Sequence, residues 1–391
     1  MEIIHLILGK ANPERMNGVN RVVHEMASNQ VRLGYKVEVW GITANPVHDY
    51  PPRPFTTRLF KSSLNPFVLN PLLKRALDKR KNHIVVHLHG AFLPVFYSLS
   101  GFLHKKEIPF ILTPHSTYNR VMMQKNPLRK KIYFRLFEKK LLDRMAAVHL
   151  LGKTEWEGLG DIYNNNKSVL IPYGFTPSQR THSTVKPSVF TAAYCGRIAI
   201  YPKGLDIMLD GFAQFHQRFP NSKLLIIGDG KEKRVLEQKV NECRLNNAVV
   251  FTGSLFGEEK VAALSNSHVF VHPSRTDGLP ATIVEAASLG LPCIVSAATN
   301  TDEYIARYNA GYAMPELSAA SFAEGLEDQY KRIMEYHQLE QLEANSLRMI
   351  AEVFNWERIL QQFNTIYTSA FYHKPIASSI GMHPIQTRMA V

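Results

Sequence analysis

Apolar runs of strand length alternate with amphipathic stretches of helix length along this 391-residue chain, and midway the alternation starts again. Antiparallel neighbours can be joined by a tight turn, whereas parallel strands need a crossover of a dozen or more residues, which a helix supplies. Strands covered on both faces read as continuous apolar runs. The first series predicts strands at residues 3–8, 36–41, 84–89, 110–113, 146–150 and 168–171, and the second at 190–194, 223–227, 249–252, 268–272 and 293–295. Two doubly wound parallel sheets follow, an α/β chain whose ligands sit by general rule at the carboxyl ends of the strands. A helical region at 318–372 closes the chain, and residues 373–391 read as a loose tail. Residues 84–103 form the longest apolar stretch, but His87, His89 and Pro94 interrupt it, so it reads as strand, loop and helix rather than a membrane span.

Two stretches of the second half carry chemistry. Arg275-Thr-Asp277-Gly278-Leu279-Pro280 leads from a buried strand into a predicted helix that holds Glu285 and ends at Gly290 and Pro292. Free backbone N–H groups at the start of such a helix favour an anion, while the two carboxylates accept hydrogen bonds from hydroxyls. Phosphate suits one end and sugar the other. The second stretch is Gly196-Arg197-Ile-Ala-Ile-Tyr-Pro-Lys203-Gly204 between a strand and a helix. A guanidinium grips phosphate oxygens with two parallel hydrogen bonds and an ammonium adds a point charge, so Arg197 and Lys203 together suit a diphosphate. No Asp-x-Asp pair occurs in the chain, so no metal and no other cofactor is expected.

In order and spacing these residues resemble the retaining GT-B glycosyltransferases of family 4, over nearly the whole chain. Asn17-Gly18-Val19 is similar to that family's glycine loop at the donor diphosphate, and Thr113-Pro-His115-Ser-Thr117 to the strand end with its active-site histidine. Ile171-Pro-Tyr-Gly174 resembles the hinge between domains. Asp277 and Glu285 stand at the E-x7-E spacing, with Asp in the first place, and the glycine loop has Asn17 where a second glycine is common. The resemblance implies two Rossmann-like domains facing across a cleft: an acceptor domain at 1–174, a nucleotide-sugar domain at 175–355, and at 356–391 a helix returning to the first domain plus a tail. It implies transfer with retention from a nucleoside-diphosphate sugar to a hydroxyl acceptor, of the hexosyltransferase type. Gly18, Arg197 and Lys203 would hold the diphosphate, Asp277 the sugar hydroxyls, Gly278, Leu279 and Pro280 the donor, and Glu285 the ribose. His115 would orient the sugar, with His87 and His89 competing for that role.

Charge divides the halves. Residues 1–180 hold 27 Lys+Arg against 12 Asp+Glu, and residues 181–391 hold 19 against 21, so the whole +13 excess lies in the first half. It concentrates at 74–81 and 125–144, where Ile132, Leu136, Leu141 and Leu142 are expected on one helix face and Arg129, Lys130, Arg135, Lys139 and Lys140 around it. Such a helix suits an anionic membrane surface, each basic residue contributing about 1 kcal/mol there. A glycan or lipid-linked acceptor and polysaccharide or lipopolysaccharide assembly fit that surface and the resemblance. Three scattered cysteines give neither a disulfide framework nor metal spacing, and the N-terminus shows no secretion signal, so a cytoplasmic enzyme, peripheral on the inner face of the plasma membrane, is expected.

Two other classes compete. A nucleotide-sugar epimerase can share the two-domain fold, though Arg197 and Lys203 followed by Asp277 and Glu285 favour transfer. A nucleic-acid binder would use the basic half, but that half lacks interleaved aromatics in a recognisable motif, so no nucleic acid is expected. Gly228-Asp-Gly230 reads as a tight turn after a strand.

Overall fold

The computed structural model describes residues 1–12, 18–177 and 186–376. It forms two compact units, Met1–Gly174 with Trp356–Val391, and Phe175–Asn355. The first unit holds a seven-stranded sheet of β1 (Glu2–Leu8), β2 (Val37–Thr43), β3 (Thr56–Lys61), β4 (Ile84–His89), β5 (Phe110–Thr113), β6 (Ala147–Leu150) and β7 (Ser168–Leu170). Their order is β3-β2-β1-β4-β5-β6-β7 and the pairs are parallel. The second sheet contains β8 (Phe190–Cys195), β9 (Ser222–Ile227), β10 (Val249–Gly253), β11 (Val269–His272), β12 (Cys293–Val295) and β13 (Gly311–Ala313), in the order β10-β9-β8-β11-β12-β13 and also parallel. Strand order reverses between β1 and β4 and between β8 and β11, and a sheet of this kind opens a crevice at such a reversal.

Each sheet is covered on both faces. On one face of the first sheet Leu73, Leu77, Phe96, Leu99, Leu141 and Leu142 pack from crossover helices. On the other, Val23 and Met26 of helix Gly18–Arg32 meet Ile359, Phe363 and Tyr367 of helix Trp356–Phe371, so the last helix seats on the N-terminal sheet. Gly174 lets it do so, since a Cβ there would lie 2.2 Å from the Trp356 ring.

The apolar runs marked eleven of the thirteen strands among the described residues. The two that escaped are β3, which carries Arg58 and Lys61 at the rim, and the three-residue β13. Only Phe60 of β3 is buried, and none of the three residues of β13 is, so neither shows an apolar run. The closing helical region is split into Ala319–Tyr330, a wide turn at Lys331–Glu335, Leu339–Val353 and Trp356–Phe371. Part of the tail, residues 377–391, lies outside the described residues, as does Asn17.

The basic helical segment differs from expectation. It runs as Pro127–Tyr133, a π turn at Phe134–Glu138 and Lys139–Arg144. Leu141 and Leu142 are buried, but Leu128, Ile132 and Leu136 are 69%, 51% and 49% exposed. Ile132 and Leu141 are about two and a half helical turns apart, so they take opposite sides. Lys130 also turns inward, its ammonium donating to the Met122 carbonyl. Among the described residues no helix is long and apolar enough to cross a membrane.

Candidate functional site

At the carboxyl edge of the second sheet the chain turns sharply after β8 because two glycines of the neighbouring loop permit it. A Cβ on Gly228 would lie 1.9 Å from the Gly196 carbonyl oxygen, and one on Gly230 2.1 Å from that of Ile198. Gly228, Asp229 and Gly230 are thus more than a tight turn, since they let two loops touch, with Ile198 N donating to Asp229 O at 2.9 Å. This leaves Arg197 exposed at the rim, its carbonyl accepting from the Tyr194 hydroxyl at 3.0 Å. The turn at Ile200–Lys203 is held from across the reversal by Arg275, which donates to both oxygens of Asp206 at 2.7 Å and to the Tyr201 carbonyl at 2.8 Å. Gly204, at φ +65°, packs where a Cβ would meet the Pro273 carbonyl at 1.9 Å.

Lys203 is thereby brought to Asp277. Its ammonium lies 2.6 and 2.7 Å from the two carboxylate oxygens, and His272 Nε2, at the end of β11, lies 2.7 Å from one of them. Burial alone would raise the Asp277 carboxyl, but the His272 hydrogen bond and the Lys203 charge outweigh it and hold it well below the usual range. His272 itself is lowered by burial, so it donates as a neutral ring. Asp277 is an anion whose oxygens are both occupied. The Gly278 carbonyl accepts from the Asn300 amide, Leu279 packs on the core, and Pro280 is the N-cap of helix Ala281–Ser288. That helix start has no side-chain cap, and the uncapped start of a helix favours an anion. Glu285, buried in its second turn, pairs with Lys260 at 2.6 Å. Arg197, Lys203, Asp277 and the 278–280 turn therefore gather at one strand edge, with Glu285 behind them in the same helix.

The carboxyl edge of the first sheet is built otherwise. His5 on β1, His87 and His89 on β4 and His149 on β6 share the face that Trp356–Phe371 covers, and all are buried. His115 follows β5 in a strained bend, with φ +55° there and +65° at Ser116. Two chains of hydrogen bonds join these rings. One runs Gln30 Oε1, His5 (2.7 Å), His89 (2.9 Å), His115 (3.1 Å) and Tyr173 OH (2.7 Å). The other runs Tyr367 OH, His87 (2.8 Å), Thr113 Oγ1 (2.6 Å), His149 (2.8 Å) and the Ile171 carbonyl (2.7 Å). Burial lowers all five rings, His5 and His149 to about 4, His115 to about 3, and His87 and His89 well below the ordinary value. Ring nitrogens of His5, His87 and His89 lie close enough together to hold a metal ion. Each already has a protein partner, however, so no lone pair stands ready for one.

His89 thus touches His115 directly and His87 stacks on His89 with ring centroids 4.1 Å apart, so neither replaces His115 at the edge. Gly18 opens helix Gly18–Arg32 and is exposed. Sequence reasoning missed His272, Lys260, the Arg275–Asp206 clamp and the histidine chains. His272 had a signal, as the polar end of an apolar strand five residues before Asp277. So did His5, His87 and His149, each inside an apolar strand. Lys260 had none, because nothing local ties its helix to Glu285.

Two family models match, Glycosyltransferase Family 4 over residues 16–179 and Glycosyl transferases group 1 over residues 177–342. The chain is 24% identical over 291 residues to a phosphatidylinositol N-acetylglucosaminyltransferase protein of Arabidopsis thaliana, covering 70% of this chain and 63% of that protein. It is 26% identical over 271 residues to the alpha-monoglucosyldiacylglycerol synthase of Acholeplasma laidlawii, covering 60% and 64%. The chain thus spans less than two thirds of the length of either relative. Among solved structures, Anabaena HepE in complex with UDP superposes with a TM-score of 0.70 at 14% identity, covering 94% of this chain and 100% of that one. With a parallel sheet in each of two Rossmann-like units and the two family models following one another along it, the chain belongs to the group 1 glycosyltransferases of GT-B fold.

Proposed function

We propose that this glycosyltransferase moves a hexosyl group, with retention at the anomeric carbon, from a nucleoside-diphosphate sugar to a hydroxyl of a glycan or lipid-linked acceptor. The observation that carries the reading is the gathering of Arg197, Lys203, Asp277 and an uncapped helix start at one strand edge. Negative charge develops on the departing diphosphate, and cations and backbone donors fixed in advance stabilise it most where it develops. Arg197, exposed and without an ion-pair partner among the described residues, takes phosphate oxygens. Lys203 exchanges one oxygen of Asp277 for phosphate, which frees Asp277 to accept from sugar hydroxyls. Glu285 takes the ribose hydroxyls in exchange for Lys260. Gly18 supplies backbone approach, and His115 orients the sugar. The diphosphate then receives the acceptor proton on the face it leaves. The cationic groups do the neutralising, so the reaction requires no metal.

Polysaccharide, lipopolysaccharide or glycolipid assembly is the setting, with the enzyme peripheral on an anionic membrane. Exposed Leu128, Ile132 and Leu136 lie among exposed Arg129, Lys131, Arg135, Lys139 and Lys140. Phe137 of that segment packs on Phe67 at 5.1 Å, beside exposed Leu64, Val68 and Leu72. Apolar side chains with a basic surround suit the headgroup boundary. The acceptor-side role of the first unit rests on this surface.

The test is a panel of UDP-, GDP- and ADP-sugars read by thermal stabilisation, since a ligand of the native state raises apparent stability. One base and one sugar should stand out, and products of turnover should keep the donor's anomeric configuration. Stabilisation by none of them, or isomerised sugar without acceptor, would overturn the reading.

A further inference from the structure

The protons of the two hydrogen-bond chains of the first unit can be placed from the Ile171 carbonyl at one end of one chain and the Gln30 amide oxygen at one end of the other. Which ring nitrogen carries the proton is set by the partner of the other. The Ile171 carbonyl can only accept, so His149 donates from Nε2 and accepts at Nδ1. Thr113 is then the donor to His149 and must accept from His87 Nε2–H. His87 Nδ1 accepts from the Tyr367 hydroxyl, whose only proton is now committed. Gln30 presents its Oε1 to His5 Nε2 at 2.7 Å, while its buried Nε2 has no hydrogen-bond partner among the described residues. An amide oxygen can only accept, so the ring nitrogen of His5 that faces it is the protonated one. That fixes the second chain. His5 donates from Nε2 to Gln30, His89 from Nε2 to His5, His115 from Nε2 to His89, and the Tyr173 hydroxyl to His115 Nδ1.

We infer that Gln30, His5 and His89 are positioning residues that hold His115 as a neutral ring with its proton on Nε2. The inference rests on the proposed role of His115 in orienting the donor sugar, which it performs as a fixed ring wall because His89 and Tyr173 occupy both of its nitrogens. The chains end in an amide, a peptide carbonyl and two phenols that burial holds protonated, none of which takes up or gives up a proton near neutrality, so the network is a clamp and not a proton path. Burial depresses all five rings, in keeping with a network neutral throughout. Both nitrogens of His115 are engaged, so its ring is fixed in plane and in tautomer before any substrate arrives. Each of the three positioning side chains is buried, and none needs to touch a substrate for this.

The test uses the full chain labelled with 15N-histidine and long-range proton–nitrogen spectra, with the His115 signal identified by its loss in His115→Asn. Expected is a single neutral form, protonated at Nε2 and bare at Nδ1, unchanged from pH 8 to pH 5. Gln30→Met fills the same space without the amide and should give a mixed or Nδ1-protonated His115. It should lower kcat by between about tenfold and a hundredfold, as misplaced catalytic groups do, with KM for the donor little changed. Gln30→Glu, whose protonated carboxyl offers one acceptor and one donor in the same directions, should restore the wild-type spectrum and most of kcat. Titration of His115 between pH 5 and 8, an Nδ1-protonated ring in the wild type, a His115 spectrum indifferent to Gln30→Met, or stoichiometric metal on the histidines would each overturn the inference. The spectra need no turnover, so failure of the clamp is distinguishable from failure of the transfer reading.

Discussion

The two sheets reverse strand order at the same topological place, yet they put opposite chemistry there. In the first unit, histidines, a threonine and tyrosines bond to one another until every ring nitrogen is used, and burial keeps them neutral. In the second, charged groups stand in pairs, Lys203 with Asp277 and Lys260 with Glu285, beside an exposed Arg197. A neutral closed network resists rearrangement, because opening it leaves buried polar groups unmet. An ion pair at a rim can exchange partners when a ligand brings its own charge. The fold decides where a site lies, and the side chains decide whether it holds still or exchanges.

The largest expected effect tests the exchanging side. Arg197→Ala and Lys203→Ala should each lower kcat/KM for transfer by about a hundredfold to a thousandfold, the usual cost of removing a fixed donor to developing charge. Their melting should stay near that of wild type. Arg197→Lys should recover only part, since an ammonium lacks the planar fork. Near-normal turnover in either alanine variant would erase the contrast between the units.

The second effect tests the still side through pH. Histidines lowered in the folded state bind fewer protons there than in the unfolded chain, so they cost stability as pH falls from about 6.5. His5, His87, His89, His115 and His149 all act this way. The buried carboxyls of Glu138 and Glu155, raised by burial to about 7 and about 8, act oppositely, costing stability as pH rises toward those values. Five rings outweigh two carboxyls on the acid side, so the first unit should be most stable near pH 6.5. Its melting point should drop by on the order of 10 °C between pH 6.5 and 5. Hydrogen exchange resolved by segment should show the first unit opening before the second at pH 5, and equal protection would contradict the closed-network account.

Smaller effects refine the picture. Replacing Arg129, Lys131, Arg135, Lys139 and Lys140 with Gln should weaken binding to anionic vesicles by about 1 kcal/mol per residue at low salt. Activity on a short soluble acceptor should persist, and equal flotation of both proteins would return the segment to a solvated face. Asp277→Asn should tighten binding of the bare nucleoside diphosphate by a few-fold, because Lys203 is released, while turnover falls; calorimetry and kinetics on one preparation separate the two. EDTA should leave turnover unchanged, and a loss reversed by magnesium would show a metal-dependent diphosphate site.

Much of this was legible because the pattern is local. Apolar runs placed eleven strands, and Arg197, Lys203, Asp277 and Glu285 stand out because glycine and proline mark the turns that carry them. What escaped depends on long-range pairing. His5 and His89 are 84 residues apart, and His87 and Tyr367 are 280. No window of sequence contains both ends of such a bond. The basic segment misled for a different reason, since burial of Leu141 and exposure of Ile132 follow from half-turn phase, which charge clustering obscures.

The most direct measurement is a calorimetric titration of the nucleoside diphosphate selected by the sugar panel into wild type, Lys203→Ala and Arg197→Ala. Expected is binding by the wild type without added metal, weakened by about a hundredfold or more in each variant, as loss of a charge-assisted phosphate contact implies. Undiminished affinity in both variants would place the diphosphate elsewhere and contradict the assignment of the second unit's strand edge as the donor site.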